Sequence, residues 1–469
     1  MARFRHEGQG SDGGRGPRSV SVALPPSGTL VTESTPLASA PDPIDLFAAA
    51  FRAGLEPFLW LQPIDDFAMV GVGDAWSVRA EGPDRFGVVA SAWERRLAGS
   101  RSSGAAGPRL FGGLGFTGEV PMGAPWSPFG AASMVLPEFL VVRRGESAIL
   151  TTSFIDDGTS GRHAGFERRW SELVTAAATA RAAHEAASRP PAPLSVVGES
   201  PDHVTWGRLV DRFAGAVGRG RLDKVVLARR VDLESAEEID VVGAVRWLAA
   251  GSPNSTTYAV SRGGSVFFGA TPERLVASQN KDFQTVAIAG TTRHDEDPAV
   301  EAALAAELLA SDKDREEHEI VVDTLRSMLE PVAADIRIGS TPVVARFGTV
   351  QHLVTVVSGR LKDRAGILSL AALLHPTPAV GGEPRELALE LIADNEGFDR
   401  GWYAGPLGWV DSAGDGEFVV ALRCAVVSGK SAALFAGCGI VADSDAVREW
   451  EESRSKMQVV AAALGEVRS

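Results

Sequence analysis

Two acidic clusters, far apart in the chain, have the residue types and spacing of a metal site. Asp314 and Glu317 lie three residues apart in one charged run, and Glu449 and Glu452 lie three apart in another. Residues at this spacing share one face of a helix, so each pair can present two carboxylates to the same ligand. Mg²⁺ accepts a few such oxygen ligands and keeps its other positions for water and substrate. A solvated, charge-patterned helix face shows the same spacing.

Three other side chains have types suited to proton transfer or ligand contact. Lys224 opens a predicted strand that runs to Val231, and strand alternation places its side chain on the same side as that of Val226. A lysine there can also be a simple edge-strand charge. Glu273 lies in a predicted turn directly after a strand, and His352 lies within a strand, where an isolated histidine is often a core residue.

The segment from Leu374 to Arg385 holds three prolines and two adjacent glycines between an apolar run and a predicted helix. Glycine has no Cβ to hold a ligand away from the backbone, and Pro384 suits a first helical turn, which favours a helix over residues 386–392. An ordinary tight connection has the same composition.

The residues of this segment, His375-Pro376-Thr377-Pro378-Ala379-Val380 followed by Gly381-Gly382, resemble the active-site loop of the chorismate-utilising enzymes. This family comprises isochorismate, salicylate, anthranilate and aminodeoxychorismate synthases, and the resemblance covers most of residues 200 to 465. It implies an α+β fold of large mixed β-sheets flanked by helices, like that of anthranilate synthase component I. The alternation of predicted helices and strands beyond residue 200 also indicates α+β.

The resemblance implies a magnesium site built from both acidic clusters. In this family, the glutamate of a Glu-His pair and the second glutamate of a C-terminal Glu-x-x-Glu hold Mg²⁺, and these correspond to Glu317 and Glu452. Asp314 and Glu449 are expected to support the ion, in part through water.

The resemblance also implies an acid and a base. The family lysine at the position of Lys224 removes a proton from water, which requires a pKa well below the ordinary value of about 10.4. The family glutamate at the position of Glu273 protonates the departing C4 hydroxyl, which requires a raised pKa. Both residue types are present here.

A third set of positions is expected to bind the carboxylates and ring of chorismate. Arginine is a natural fork for a carboxylate, and glycine-assisted turns can offer N–H groups. Lys456 could instead form an ordinary i,i+4 pair with Glu452. The expected substrate-binding residues are His352, Ala379, Tyr403, Arg423, Gly437, Gly439, Lys456 and Thr291.

Three positions distinguish the members of the family. Anthranilate synthases usually lack the lysine found here at Lys224, aminodeoxychorismate synthases often have a lysine where this chain has Ala289, and salicylate synthases usually have threonine in place of Ala379. We therefore expect an isochorismate synthase, which adds water at C2 of chorismate with loss of the C4 hydroxyl and feeds menaquinone or catecholate siderophore synthesis. The alternative is a salicylate synthase, which goes on to eliminate pyruvate. Gly381 departs from the serine or cysteine expected in the loop.

Two other classes of protein are less consistent with the sequence. A catalytically inactive chorismate-binding subunit would have lost Lys224, Glu273 or a metal ligand, and the sequence keeps all of them. A synthase coupled to a glutamine amidotransferase would use ammonia in place of water. Because Lys224 indicates attack by water, no obligatory amidotransferase subunit is expected.

Composition restricts the partners and the compartment. The chain has 46 Lys+Arg against 60 Asp+Glu and a net charge of -14, which argues against nucleic-acid binding. No apolar run approaches the roughly 20 residues that span a bilayer, so no membrane association is expected. The two cysteines, Cys424 and Cys438, show no metal or redox spacing, and their scarcity fits a reducing compartment. We expect a cytoplasmic protein.

The chain is predicted to have three regions. Residues 1–42 are rich in Gly, Ser, Pro and Arg and are expected to be disordered. Residues 43–193 are expected to form an N-terminal α+β subdomain that ends at a proline-rich junction, and residues 194–469 a chorismate-binding catalytic region. Further predictions are a strand over 86–90, a turn over 112–116, one strand over 417–427 and a long helix over 297–329 that is interrupted near Ser311.

Overall fold

The computed structural model describes residues 28–121, 123–158, 165–186, 191–293, 295, 297–347, 350–363 and 365–468. Within these ranges, the side chains of residues 183–186, 291, 313, 317, 347 and 350 are not described. The predicted roles of the Thr291 and Glu317 side chains therefore lie outside the described residues, as does the predicted disorder of residues 1–27.

Strands form most of the regular structure. The described residues contain β1 Thr29–Leu37, β2 Phe58–Gln62, β3 Phe67–Val72, β4 Trp76–Ala80, β5 Arg101–Ser103, β6 Arg109–Leu114, β7 Ala132–Leu136, β8 Phe139–Arg144, β9 Ser147–Asp156, β10 Leu194–Ser200, β11 Lys224–Ser235, β12 Thr256–Arg262, β13 Ser265–Thr271, β14 Arg274–Gln279, β15 Asp282–Arg293, β16 Ala333–Ile338, β17 Val343–Phe347, β18 Val350–Leu361, β19 Gly382–Glu383, β20 Pro406–Asp411, β21 Gly416–Val420, β22 Cys424–Ser428, β23 Ser431–Ile440 and β24 Val467–Arg468.

Helices connect and cover these strands. They are α1 Pro43–Arg52, α2 Arg85–Leu97, α3 Phe166–Ala186, α4 His203–Gly218, α5 Val241–Gly251, α6 Pro298–Ala310, α7 Asp312–Leu329, α8 Ile367–Leu374, α9 Arg385–Asn395 and α10 Ala446–Leu464, with a short 3₁₀ turn at Pro63–Asp65. Ser311 separates α6 from α7 and caps α7 by accepting a hydrogen bond from the Asp314 amide. The predicted interruption of the long helix near Ser311 is confirmed.

The strands form two sheets. The large sheet has 14 strands in the order β24-β10-β11-β23-β22-β13-β12-β2-β3-β8-β9-β1-β5, with β19 paired to β11. The small sheet has ten in the order β16-β18-β15-β14-β21-β20-β6-β7-β4, with β17 paired to β18. The predicted α+β fold with large mixed sheets is confirmed. Because both sheets combine strands from before and after residue 193, the predicted boundary there does not separate one sheet from the other.

Alternation along the central strands buries both faces of the large sheet. In β2, Phe58 and Trp60 belong to the core cluster that includes the small sheet, whereas Leu59 and Leu61 belong to a second cluster with α1, α3, α5 and α10. Successive side chains of a strand point to opposite faces, so this near-continuous apolar run fits a strand covered on both sides. Helices α2, α7 and α8 extend the first cluster over the small sheet.

The structure corrects four predictions of local structure. The segment expected to be disordered contains β1, which pairs with β9 over its whole length, so long-range pairing overrides its polar composition. Residues 86–90 belong to α2, whose Phe86, Val89 and Trp93 are buried on one helical face. Residues 112–114 continue β6 and do not form a turn. The strand predicted over 417–427 is broken at Arg423, where φ is 49°.

None of the helices in the described part of the chain combines the length and apolar content needed to cross a membrane.

Candidate functional site

Strands β11 and β23 lie side by side and hold Lys224 over Gly439 and Val226 over Gly437. A Cβ built on Gly439 would lie 2.4 Å from the Lys224 Cε, and one on Gly437 would lie 3.0 Å from the Tyr403 hydroxyl and 3.3 Å from the Val226 Cγ1. Lys224 and Val226 therefore share one face of β11, as strand alternation predicts. The glycines are strand residues, not turn residues as expected, and any side chain there would displace the lysine or the tyrosine.

Helix α10 brings Lys456 and Glu452 to the same face. The Lys456 ammonium donates a hydrogen bond to the Gly437 carbonyl at 2.9 Å and pairs with the Glu452 carboxylate at 2.6 Å. The i,i+4 pair considered from the sequence is thus present, and the same ammonium also reaches β23.

Glu273 and His352 complete what we call the lysine–glutamate cluster, which consists of Lys224, Glu273, His352, Glu452 and Lys456. Burial raises the pKa of Glu273 to about 7, although the charges of Lys224 and Lys456 oppose this rise. Burial, together with the charges of the same two lysines, lowers the pKa of His352 to about 4. At neutral pH, Glu273 can therefore hold a proton and His352 is uncharged.

The backbone around the cluster is fixed by local hydrogen bonds. The Glu273 amide donates to the Thr271 hydroxyl at 3.2 Å, and its carbonyl accepts from the Val420 amide at 3.0 Å, which orients the predicted turn between β13 and β14. His352 lies on β18, and its Nδ1 is 3.2 Å from the carbonyl of Gly290. Gly290, which precedes Thr291, has φ of 70° and forms a bulge in β15.

Glu449 and Glu452 converge on α10 beside Cys438. Ligand atoms of these three residues all lie within 4.8 Å of one another. Burial raises the pKa of Glu449, and the charge of Glu452 raises it further. Burial also raises the pKa of the Cys438 thiol, which donates to the Glu449 carbonyl at 3.2 Å and so remains a protonated, uncharged group. The two half-buried, mutually repelling carboxylates fit a hard divalent cation.

The other acidic cluster is described in part. Asp314 lies in the first turn of α7, where its carboxylate accepts a hydrogen bond from the Ser311 hydroxyl. Its Cβ would lie 3.3 Å from a Cβ built on Gly290, which places it beside the bulge that contacts His352. Glu317 follows on the same helix. The structure therefore brings α7 toward the lysine–glutamate cluster without describing the Glu317 carboxylate.

Two further expected substrate-binding residues are Tyr403, which lies beside Gly437, and Arg423. Tyr403 is buried, stacks on Phe435 with ring centroids 5.5 Å apart, and has a pKa raised by burial, so its hydroxyl stays protonated. Arg423 occupies the break between β21 and β22. Burial lowers the pKa of its guanidinium, and the nearby Tyr403 and Glu452 side chains oppose this fall.

The proline- and glycine-rich segment runs directly against β11. Gly382 pairs with Val225 and has φ of 139°, and a Cβ there would lie 2.4 Å from the Lys224 carbonyl oxygen. A residue with a side chain would push the segment away from Lys224. Ala379 is half-buried in this segment. A Cβ on Gly381 would make ordinary contacts at 3.5 Å, so lack of space does not exclude the serine or cysteine expected at this position.

Comparison with known proteins places this arrangement in a family. A family model described as chorismate binding enzyme matches residues 24–465. The chain belongs to the chorismate binding enzyme family.

Relatives and solved structures of this family resemble the chain over most of its length. A salicylate biosynthesis isochorismate synthase of Pseudomonas aeruginosa is 35% identical over 91% of the chain and 88% of the relative. Isochorismate synthase MenF of Bacillus subtilis is 30% identical over 87% and 88%. The structure of MenF, the menaquinone-specific isochorismate synthase from Escherichia coli, superimposes with a TM-score of 0.72 at 27% identity, covering 94% of this chain and 96% of that one.

Three charged residues near the family site were missed by sequence reasoning: Arg229, Glu396 and Arg400. Each is buried. The available signal for Arg229 is its position in an apolar strand, where alternation places it on the face opposite Lys224. For Glu396 and Arg400 the signal is i,i+4 spacing just before Tyr403.

Arg229 fixes the helix that carries the two glutamates. Its guanidinium carbon lies 3.0 Å from the ring centroid of Trp450, and it donates to the Ser453 hydroxyl at 2.8 Å and to the Glu199 carboxylate at 3.4 Å. Because Trp450 and Ser453 directly follow Glu449 and Glu452, these contacts set the position of that part of α10 against β11.

We expect Arg229→Lys to lower the free energy of unfolding by about 2 kcal/mol and to weaken divalent cation binding, since lysine cannot stack and bridge in the same way. Urea unfolding and a Mg²⁺ titration by calorimetry would measure both effects. Arg454→Lys, an exposed substitution on the same helix, is the matched control. Unchanged cation affinity in a less stable Arg229→Lys protein would show that Arg229 serves the fold alone.

Proposed function

We propose that the protein is an isochorismate synthase, which converts chorismate into isochorismate by adding water at C2 with loss of the C4 hydroxyl. The observation that carries the proposal is a buried Glu273 with a pKa of about 7 on which the charge of Lys224 acts, in one cluster with the convergent carboxylate of Glu452. The similarity to isochorismate synthases over most of the chain supports the same reaction.

Lys224 is the proposed base. Its side chain extends over Gly439, and its charge acts on both Glu273 and His352. In its neutral form, a lysine here would take a proton from water as the oxygen adds to C2.

Glu273 is the proposed acid. A carboxyl group with a pKa of about 7 is still substantially protonated at neutral pH and can transfer that proton to the C4 hydroxyl as it leaves. Its amide and carbonyl are both hydrogen-bonded, so the turn holds the carboxyl against Lys224 and Lys456. A proton donor and a proton acceptor in fixed positions can therefore act on two carbons of the same ring.

The residues proposed to hold Mg²⁺ are Glu452 and Glu317, supported by Glu449 and Asp314. Burial, and after it the charge of Glu452, raises the pKa of Glu449, and a divalent cation bound between the two carboxylates would favour their charged forms. When bound, Mg²⁺ supplies charge neutralisation for a carboxylate of the substrate.

The remaining groups are proposed to bind and orient chorismate. The guanidinium of Arg423, the hydroxyl of Tyr403 and the ammonium of Lys456 suit its carboxylates. The uncharged ring of His352 and the short side chain of Ala379 would border the substrate ring. Gly437 and Gly439 leave room for it, and Thr291 is proposed on family resemblance alone.

The test is product analysis by chromatography after incubation of the purified protein with chorismate, with Mg²⁺ or with EDTA, and without ammonia. Isochorismate that requires Mg²⁺, without salicylate or pyruvate, is the expected result. Salicylate with pyruvate would support the alternative of a salicylate synthase. Turnover only with ammonia or an added subunit would contradict the role given to Lys224. The product would serve menaquinone or catecholate siderophore synthesis.

We expect Glu452→Gln to raise the Mg²⁺ concentration needed for half-maximal activity by roughly 10- to 100-fold, because an amide is a weaker ligand than a carboxylate. Calorimetric Mg²⁺ titration measures the binding itself. Glu451→Gln is the matched control, since its carboxylate is exposed and lies near Arg454. An unchanged titration for Glu452→Gln would move the metal site elsewhere.

A further inference from the structure

One edge of β11 is completed by side chains at a place where none of the described strands pairs with it. Strand β19 pairs with the first two residues of β11, and β10 pairs with its C-terminal half. Between them, the Ala228 amide donates to the Glu396 carboxylate at 2.7 Å, and the Val226 carbonyl accepts from the Arg400 guanidinium at 2.8 Å. Glu396 and Arg400 thus supply the acceptor and donor that a neighbouring strand would supply.

The two side chains form a buried, bidentate ion pair. Glu396 is 3% exposed and Arg400 is 4% exposed. The Arg400 Nε donates to one carboxylate oxygen at 2.8 Å, and its Nη2 donates to the other. Arginine suits this position because its planar fork can meet a carboxylate and two carbonyls at once.

Arg400 also contacts the proline- and glycine-rich segment of residues 374–385 and the turn that contains Tyr403. Its Nη1 donates to the carbonyl of Val380 at 2.8 Å, next to Ala379. Its guanidinium carbon lies 4.2 Å from the ring centroid of Phe116, and the Arg400 carbonyl accepts from the Tyr403 amide at 2.9 Å. One residue therefore joins β11, the loop and the turn that carries Tyr403.

Stability alone does not explain such a pair. The desolvation cost of two buried charges often cancels their attraction, and apolar residues of the same volume frequently stabilise a fold as well or better. Apolar residues could not, however, bond the three backbone groups of Val226, Ala228 and Val380. What the pair adds is therefore a fixed relation between three backbone segments.

We propose that the Glu396–Arg400 ion pair is a positioning element, which sets the direction of Lys224 relative to Ala379 and Tyr403. Neither side chain of the pair is among the residues proposed to bind chorismate or to transfer a proton. The kinetic part of this inference rests on the proposed function, whereas its effect on the β11 backbone does not.

Arg400→Lys is the main test, because lysine keeps the charge opposite Glu396 but cannot reach both carbonyls. Glu396→Gln is the second variant; its amide oxygen can still accept from Ala228, so it decides the question if Arg400→Lys does not fold. Arg212→Lys is the matched control, since Arg212 is exposed and donates to Asn395, the neighbour of Glu396, at 2.9 Å.

The expected kinetic result is a split between kcat and KM. Per folded enzyme, kcat for Arg400→Lys should fall roughly 10- to 100-fold, while KM for chorismate changes by less than about threefold, because a small misplacement of a reacting group lowers the rate far more than it lowers binding. Glu396→Gln should show a smaller fall in kcat. Arg212→Lys should match the wild-type protein in both constants.

Backbone amide exchange, measured by mass spectrometry, gives a readout that is independent of activity. Faster exchange confined to residues 225–229 and 377–382 in the Arg400→Lys protein supports the proposal. A folded variant with wild-type kcat, a rise in KM alone, or faster exchange spread over the whole chain would overturn it. If the wild-type protein made no isochorismate, the proposed function would fail, and the exchange result would still decide whether the pair fixes β11.

Discussion

We expect Lys224→Ala to reduce isochorismate formation by roughly 10³-fold, within the range that general base catalysis contributes. The side chain of Lys224 lies over Gly439, and its charge acts on both Glu273 and His352, so its loss removes the proposed base from the centre of the lysine–glutamate cluster. Alanine keeps the pairing of β11 with β19, which is made by backbone groups. The rate is measured chromatographically with Mg²⁺ present and ammonia absent.

Two further observations separate loss of the base from loss of the fold. Lys430→Ala removes an exposed lysine that bonds the Ala236 carbonyl beside β23, and this control should keep wild-type activity. In the Lys224→Ala protein, the pKa of His352 should rise from about 4, since Lys224 is one of the charges that lower it. NMR titration of the histidine measures this shift. Full activity of Lys224→Ala would exclude Lys224 as the base.

Spacing and alternation were sufficient to predict several parts of the candidate site. The three-residue spacing of Glu449 and Glu452 brings their carboxylates together because α10 is regular there, and the strand that begins at Lys224 places its side chain on the predicted face. Both patterns depend on the period of a single element. The chemical roles of these residues came from family resemblance and remain predictions.

Long-range pairing explains what the sequence did not reveal. β1 is polar in composition, and its pairing with β9 and β5 makes it a strand. The break at Arg423 depends on a left-handed backbone conformation that the apolar pattern of residues 417–427 does not indicate. Glu396 and Arg400 are charged residues whose partners are backbone groups 168 and 174 positions away, and no local pattern encodes such a contact.

We expect Glu273→Gln to reduce kcat by roughly 10²- to 10⁴-fold, because glutamine keeps the shape of the side chain but cannot transfer a proton. In the wild-type protein, kcat/KM should decline above about pH 7 as Glu273 loses its proton. That decline should be absent from the residual activity of the variant. A pH profile of kcat/KM for both proteins is the measurement, and a decline that persists in Glu273→Gln would assign it to another group.

The same carboxyl group should affect stability in a way that needs no substrate. Its pKa is about 7 in the folded protein against an ordinary value of 4.5, so between these pH values the folded state holds a proton that the unfolded chain has released. Stability is therefore lost as pH rises through this window, by roughly 3 kcal/mol. Glutamine does not titrate, so relative to the wild-type protein Glu273→Gln should gain most of that amount between about pH 5 and pH 8.

Urea unfolding of both proteins at the two pH values tests this expectation. Glu330→Gln, which changes an exposed carboxylate at the end of α7, is the control and should differ from the wild-type protein by the same amount at both values. The stability difference between Glu273→Gln and the wild-type protein could likewise be the same at both pH values. In that case the fold would not hold the carboxyl group protonated, and the proposed acid would have to be sought elsewhere. A gain in stability together with a loss of activity would instead show that the fold tolerates an unfavourable buried carboxyl because the reaction requires it.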